Sequence, residues 1–204
     1  MKAVMADVSD ATFDAYLQQR RLTGADRYDE MWDGVLHMPP MPNRFHQDLN
    51  WALETYLRLV WIPTRDAKVH HDVNVTTPGG WPHTYRAPDL IILLPQRYGI
   101  DQNEYFEGGP NVVVEIHSPG DEAYDKLPFY AALDVSEVWI IHRDTCQPEL
   151  YRLQRNRYKR KSPSAGGWLR SNETGIELSR AKGIKLAIRL AGDETTRQDL
   201  PPES

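Results

Sequence analysis

The stretch NVVVEIH, residues 111–117, decides the fold. Its apolar residues run on without the in-out alternation of a half-solvated strand. That is the pattern of a strand covered on both faces, which places the chain among sheets flanked by helices. Glu115 stands inside this run. Removing an ionised carboxylate from water costs roughly several kcal/mol, so such a group is rarely buried alone. Glu115 therefore either meets a cation, metal or basic side chain, or lies on an edge strand and faces water.

Working outward, LIILL (90–94), entered through Pro88-Asp89, and EVWIIH (137–142) read as two further buried strands. Between the second and third strands, SPGD (118–121) turns into a helix containing LPFYAAL. Pro128 is tolerated only in a first turn. Either Asp125 caps that helix with Lys126 as its first residue, or the helix starts near Asp121 and kinks. Upstream, Asp10–Arg20 reads as a short amphipathic helix with Phe13, Tyr16 and Leu17 on one side. Tyr28–Met38 reads as a hairpin turning at Asp33-Gly34. Asn43 caps the clearest helix, which runs to about Val60. Val69–Thr77 is β-rich, and WPHTYRA (81–87) is a polar loop.

Downstream, Glu149–Leu153, Tyr158–Lys161, Trp168–Ser171 and Ile184–Ile188 read as late antiparallel strands. The expectation is an α/β fold, a mixed β-sheet flanked by helices with extra antiparallel strands. One domain is expected over 1–191, with a polar, disordered tail over 192–204.

The composition bounds the function. The 204 residues are enough for one domain with a core. No run reaches the roughly 18 apolar residues of a membrane span. No signal peptide is visible, and Cys146 is alone, so a reducing cytoplasm is the expected setting. The net charge of −5 speaks against a surface that is basic throughout, though phosphate can still bind at a local patch or a bound metal. Arg155, Arg157, Lys159, Arg160 and Lys161 form one such basic stretch around Tyr158, either a phosphate contact or a solvated strand face. Zinc spacing, a Gly-rich phosphate loop and a Gly-x-Ser-x-Gly elbow are all missing from the sequence.

Two other residues gain meaning beside Glu115. Asp89 opens the LIILL run, and alone a Pro-Asp pair is ordinary turn chemistry. Two neighbouring strands that each bring a carboxylate to one rim, however, make a hard oxygen site suited to Mg²⁺ or Mn²⁺. Lys126 follows Glu115 by eleven residues, at the head of the next helix. It is either a solvated lysine or a point charge reaching back to that rim.

APDLIILLP, followed by NVVVEIHSPGDEAYDKLPFYAALDVSEVWIIHRDTCQPELYRL, resembles the Uma2 family of restriction-endonuclease-like proteins. EMWDG is similar to that family's Glu-x-x-Asp-Gly hairpin, and NRFHQDLNWAL to its His-bearing first helix. The likeness spans roughly Tyr28 to Leu153. It implies the Asp…Glu-x-Lys nuclease fold, with Asp89, Glu115 and the Ile116 carbonyl as ligands of a divalent metal. It also implies Glu30 as a further acid, and His46 as a contact to phosphate or metal-bound water, or as a structural hydrogen bond. The lysine expected two residues after the Glu is His117 here, and the family's displaced lysine matches Lys126. His117 is left as a ligand, a base, a supporting group or a strand-end histidine.

The expected activity is Mg²⁺-dependent endonuclease cleavage of DNA. The alternative is a non-catalytic module of the same fold that binds nucleic acid or protein, and a third reading is hydrolysis of another phosphoester. A homodimer is compatible with the resemblance.

Overall fold

A computed structural model describes residues 4–6 and 11–202 of the protein. The first half of the chain carries β1 (Val4–Ala6), α1 (Ala11–Thr23), β2 (Glu30–Trp32), β3 (Val35–Met38), α2 (Arg44–Tyr56), β4 (Lys68–His71), β5 (Asn74–Thr76), β6 (Tyr85–Arg86) and β7 (Leu90–Leu93). The middle carries β8 (Tyr105–Glu107), β9 (Val112–His117), α3 (Leu127–Ala132), β10 (Glu137–His142), β11 (Pro148–Gln154) and β12 (Arg157–Arg160). The end carries β13 (Leu169–Arg170), β14 (Ile176–Arg180), β15 (Leu186–Leu190) and β16 (Gln198–Leu200).

The central sheet has the order β12-β11-β10-β9-β7-β4. Its one parallel pair is β9 with β10, and the α3 segment makes the crossover that a parallel pair needs. Alternation then sorts the side chains. Leu90, Ile92, Val112, Val114, Ile116, Trp139 and Ile141 pack under α2 and against the third sheet, β13-β14-β15-β16. Ile91, Leu93, Val113, Val138 and Ile140 pack against Tyr130 and Leu133 and against Val75 and Phe106. Both faces are covered, which is why these strands carry no polar alternation. Leu49, Leu53 and Leu57 of the α2 segment are fully buried, each worth about 1.5–3 kcal/mol of transfer free energy.

Local chemistry sets the element ends. Asn43 caps α2 by accepting from the His46 amide at 2.9 Å. A π-helical turn, Leu57–Trp61, carries the helix on past the expected Val60. Asp33 and Gly34 both have positive φ, the signature of a primed two-residue turn, and this pins β2 to β3.

Several expectations are corrected. The β-rich stretch 69–77 is two strands, broken at Asp72 (φ 51°), which pair in different sheets. The polar loop contributes β6. Neither Asp125 nor Asp121 caps α3. Lys126 holds the cap position and Pro128 sits in the first turn, so the helix does not kink. Tyr16 of α1 is exposed, so its expected apolar face is not fully buried; Asp10 lies outside the described residues. Ile184 is exposed, and its strand begins two residues later. β14 was not foreseen. The polar tail is not frayed at 198–200, because Leu200 is buried and β16 pairs with β15 there.

Candidate active site

β7 and β9 run antiparallel with Leu90 opposite Val114. The next step along the same register sets Asp89 opposite Glu115, on the face shared with Ile91 and Val113. The Ile116 amide crosses to Asp89 and donates to Oδ2 at 2.6 Å. The N–H and C=O of one residue in a strand project to the same edge, so the Ile116 carbonyl also faces the Asp89 side. His46 reaches down from α2 and its Nε2 meets Asp89 Oδ1 at 2.7 Å.

Glu115 is buried at 4% exposure and engaged at both oxygens. The Tyr130 hydroxyl donates to Oε1 at 2.6 Å, and the Lys126 ammonium donates to Oε2 at 3.0 Å. Lys126 also lies 2.7 Å from Glu30 Oε1. Glu30 is fixed in turn, accepting from the Ala87 amide at 2.9 Å and from the Trp32 indole at 2.7 Å. The lysine cation therefore bridges two buried carboxylates contributed by different sheets.

Burial works against the charged form of Glu115. Lys126 opposes that effect, but the nearby Asp89 and Glu30 charges add to it, and the carboxyl is pushed up to about 8. Burial would also raise Asp89, yet His46, the Ile116 amide and Lys126 outweigh it and hold Asp89 below the ordinary carboxylate range. For His46, burial disfavours the imidazolium, while Asp89, Glu115 and Asp121 overcome that and lift it above the usual histidine value. Burial likewise opposes the Lys126 charge, and Glu115 and Glu30 more than offset it. Two neighbouring carboxyls are thus driven in opposite directions, as they are where one holds charge and the other trades protons.

Glu30, His46, Asp89, Glu115, Ile116 and Lys126 all line one cavity of about 350 Å³. The six residues singled out from the sequence meet there. His117 shares the strand face of Glu115 but is not among the residues that line this cavity. Its Nδ1 meets Asp121 at 2.6 Å, and its ring sits edge-on to Tyr124 and His142.

Three residues at the site escaped sequence reasoning. His37 lines the cavity and its Nδ1 meets Glu122 Oε2 at 2.9 Å. The two-residue turn at Asp33-Gly34 sets His37 opposite Glu30, so the hairpin register was the signal for it. Glu122 is its partner from the loop before α3, and nothing local in the sequence marks it. Tyr130 lies four residues after Lys126, hence on the same helix face. The wall behind Glu30 is a stack: the Arg86 guanidinium lies between the Trp32 and Phe129 rings at 4.0 and 4.3 Å, and His37 stacks on the other side of Trp32 at 4.1 Å.

The donor set fits a hard divalent ion. Asp89, Glu115 and the Ile116 carbonyl are all oxygens, and each carboxylate oxygen accepts a single hydrogen bond here, leaving lone pairs available. Among the described residues, no three His, Cys, Asp or Glu side chains form a ready-made cage. Mg²⁺ does not need one, since it is commonly held by one or two carboxylates together with water and substrate phosphate.

A family profile, Uma2, described as "Putative restriction endonuclease", matches residues 13–188. Among solved structures, the chain is similar to one described as a "putative nuclease belonging to DUF820" from Anabaena variabilis ATCC 29413. The TM-score is 0.58 at 18% identity, covering 72% of this chain and 82% of the other. That likeness shows a shared fold. Comparison with curated proteins gives no match. Among the described residues, no helix is long and apolar enough to cross a membrane.

Proposed function

Because this chain belongs to the Uma2 family, we propose that it is an endonuclease that hydrolyses DNA phosphodiester bonds with Mg²⁺ or Mn²⁺ held by Asp89, Glu115 and the Ile116 carbonyl. The observation that carries this reading is the convergence of those three groups, with Lys126, on one cavity. A bound Mg²⁺ supplies Lewis-acid charge to a phosphoryl oxygen and acidifies water.

The protein's own residues do the rest. His46 and the Ile116 amide fix both oxygens of Asp89 and keep it charged. The Tyr130 hydroxyl and Lys126 set the plane of the Glu115 carboxyl. Glu30 anchors the ammonium at the cavity wall, where it offsets charge developing on a phosphate.

The test is conversion of supercoiled plasmid to open circle by the purified protein. Nicking is expected with Mg²⁺ or Mn²⁺ and none in EDTA. Plasmid left intact under both ions would overturn the proposal. One feature favours a second reading: an ammonium already lies among the carboxylates, as it would in a module that binds nucleic acid without cutting it. Metal-independent DNA binding without nicking is the outcome that reading expects.

A further inference from the structure

The β11–β12 hairpin turns at Arg155-Asn156, both at positive φ, and β12 is the edge strand of the central sheet. The Tyr158 hydroxyl donates to the Val135 carbonyl at 2.7 Å and anchors the strand. Alternation sends Arg157 and Lys159 to the opposite side. Just past the end of β12, between it and the third sheet, lies a cleft of about 500 Å³. Arg160, Lys161 and Arg180 line it together with serines and Gln147, and no acid is among the lining residues. Arg160 is paired with Glu149 at 2.8 Å, whereas Lys161 and Arg180 are in no salt bridge among the described residues. In a chain of net charge −5, this is a local concentration of unpaired positive charge.

The cleft is joined to the active-site cavity by a run of touching side chains. Asp121 lines the first cavity and holds His117. His117 abuts His142, and His142 meets Glu149 at 3.3 Å. Glu149 then meets Arg160, which lines the second. From β9 to β12 are three strand spacings, about 14 Å, or about four nucleotides at the rise of one duplex strand.

The geometry points to the Lys161–Arg180 cleft as a phosphate-binding site for the nucleic-acid backbone that flanks the bond in the active-site cavity. This rests on the endonuclease reading for its substrate but not for its measurement. A fluorescein-labelled duplex of about 20 base pairs is titrated with the full chain in EDTA at several salt concentrations. Lys161→Ala/Arg180→Ala is expected to weaken binding about tenfold or more and to lower the slope of log K against log salt by about 2. The control is Arg21→Ala/Lys68→Ala, an equal charge change with Lys68 on β4, the opposite edge of the same sheet. The control pair is expected to leave both quantities near the parent.

Equal losses in the two pairs, or no change in the cleft pair, would overturn the assignment, as would a parent protein that binds no DNA. A parent that binds through the cleft without cutting supports this site while failing the endonuclease proposal. Arg180 is exposed and Lys161 partly so, and thermal melting checks that each pair folds like the parent.

Discussion

Glu115→Gln is expected to abolish Mg²⁺-dependent plasmid nicking, a loss of about 10²–10³-fold or more, while making the metal-free protein more stable at pH 8 than its parent. The two effects share one cause. Glutamine keeps the shape of Glu115, with its oxygen accepting from the Lys126 ammonium and its amide donating to a Tyr130 hydroxyl that turns to accept, but it brings no anionic oxygen for a divalent ion. In the parent, the carboxyl titrates at about 8 in the folded chain, against an ordinary 4.5. Between those values the folded state holds one proton more than the unfolded state. Stability contributed by this group is therefore full below the lower value and is lost as pH rises through the upper one. The amide has no proton to lose, so the variant should lack that decline.

Lys126 remains neutralised in the variant by Glu30 at 2.7 Å, and no new unpaired charge is buried. Melts in EDTA at pH 5, 7 and 9 read the slope, and nicking assays with Mg²⁺ read the activity. A variant that cuts like the parent would remove Glu115 from the site. A variant whose stability declines with pH as steeply as the parent's would show that the carboxyl is not the titrating group. The same proton links to the metal: below about 8, an ion that displaces it should bind about tenfold more weakly for each unit of falling pH.

The sequence pointed to the residues that gather at the candidate site better than to the sheets around them, and the reason is physical. A carboxylate inside VVVEI breaks an apolar run, so Glu115 called for either a compensating cation or an edge strand facing water, and the fold supplies the cation as Lys126. Asp89 and Lys126 followed from their spacing and from family likeness. Glu30 and His46 rested on likeness alone. His37 depends on pairing across a turn, and Glu122 lies in a loop, so neither carries a periodic signal. The third sheet was read incompletely because its strands are short and half-polar. β14 (IELSR) alternates weakly, and β16 (QDL) owes its place to one buried leucine in an otherwise polar segment. Burial of Leu200 overrides a composition that reads as solvated tail. Asp72 splits one β-rich run between two sheets through a left-handed residue, which no hydropathy pattern reports.

Lys126→Met is expected to cost about 3–5 kcal/mol of stability at alkaline pH and to reduce nicking about 10²–10³-fold at temperatures where the variant is folded. Methionine preserves much of the apolar stem but removes the cation shared by two buried carboxyls, Glu30 and Glu115. Breaking a buried pair strands the partner charge, and here it strands two that face one another. With the lowering effect of Lys126 gone, Glu115 should keep its proton to a higher pH than the parent's value of about 8, so the penalty should be smaller in acid and grow as pH rises, a dependence visible in metal-free melts.

Adding Glu30→Gln to the same chain separates stability from chemistry. It removes one stranded charge, yet an amide has a single oxygen for the two donors that now reach this carboxylate, the Ala87 amide and the Trp32 indole. The double variant should therefore recover part of the lost stability. It should recover none of the nicking, because no positive charge has returned to the cavity wall. Recovery of both would mean that Lys126 serves only to neutralise Glu30. A folded Lys126→Met protein that cuts at the parent's rate would remove the ammonium from the reaction altogether.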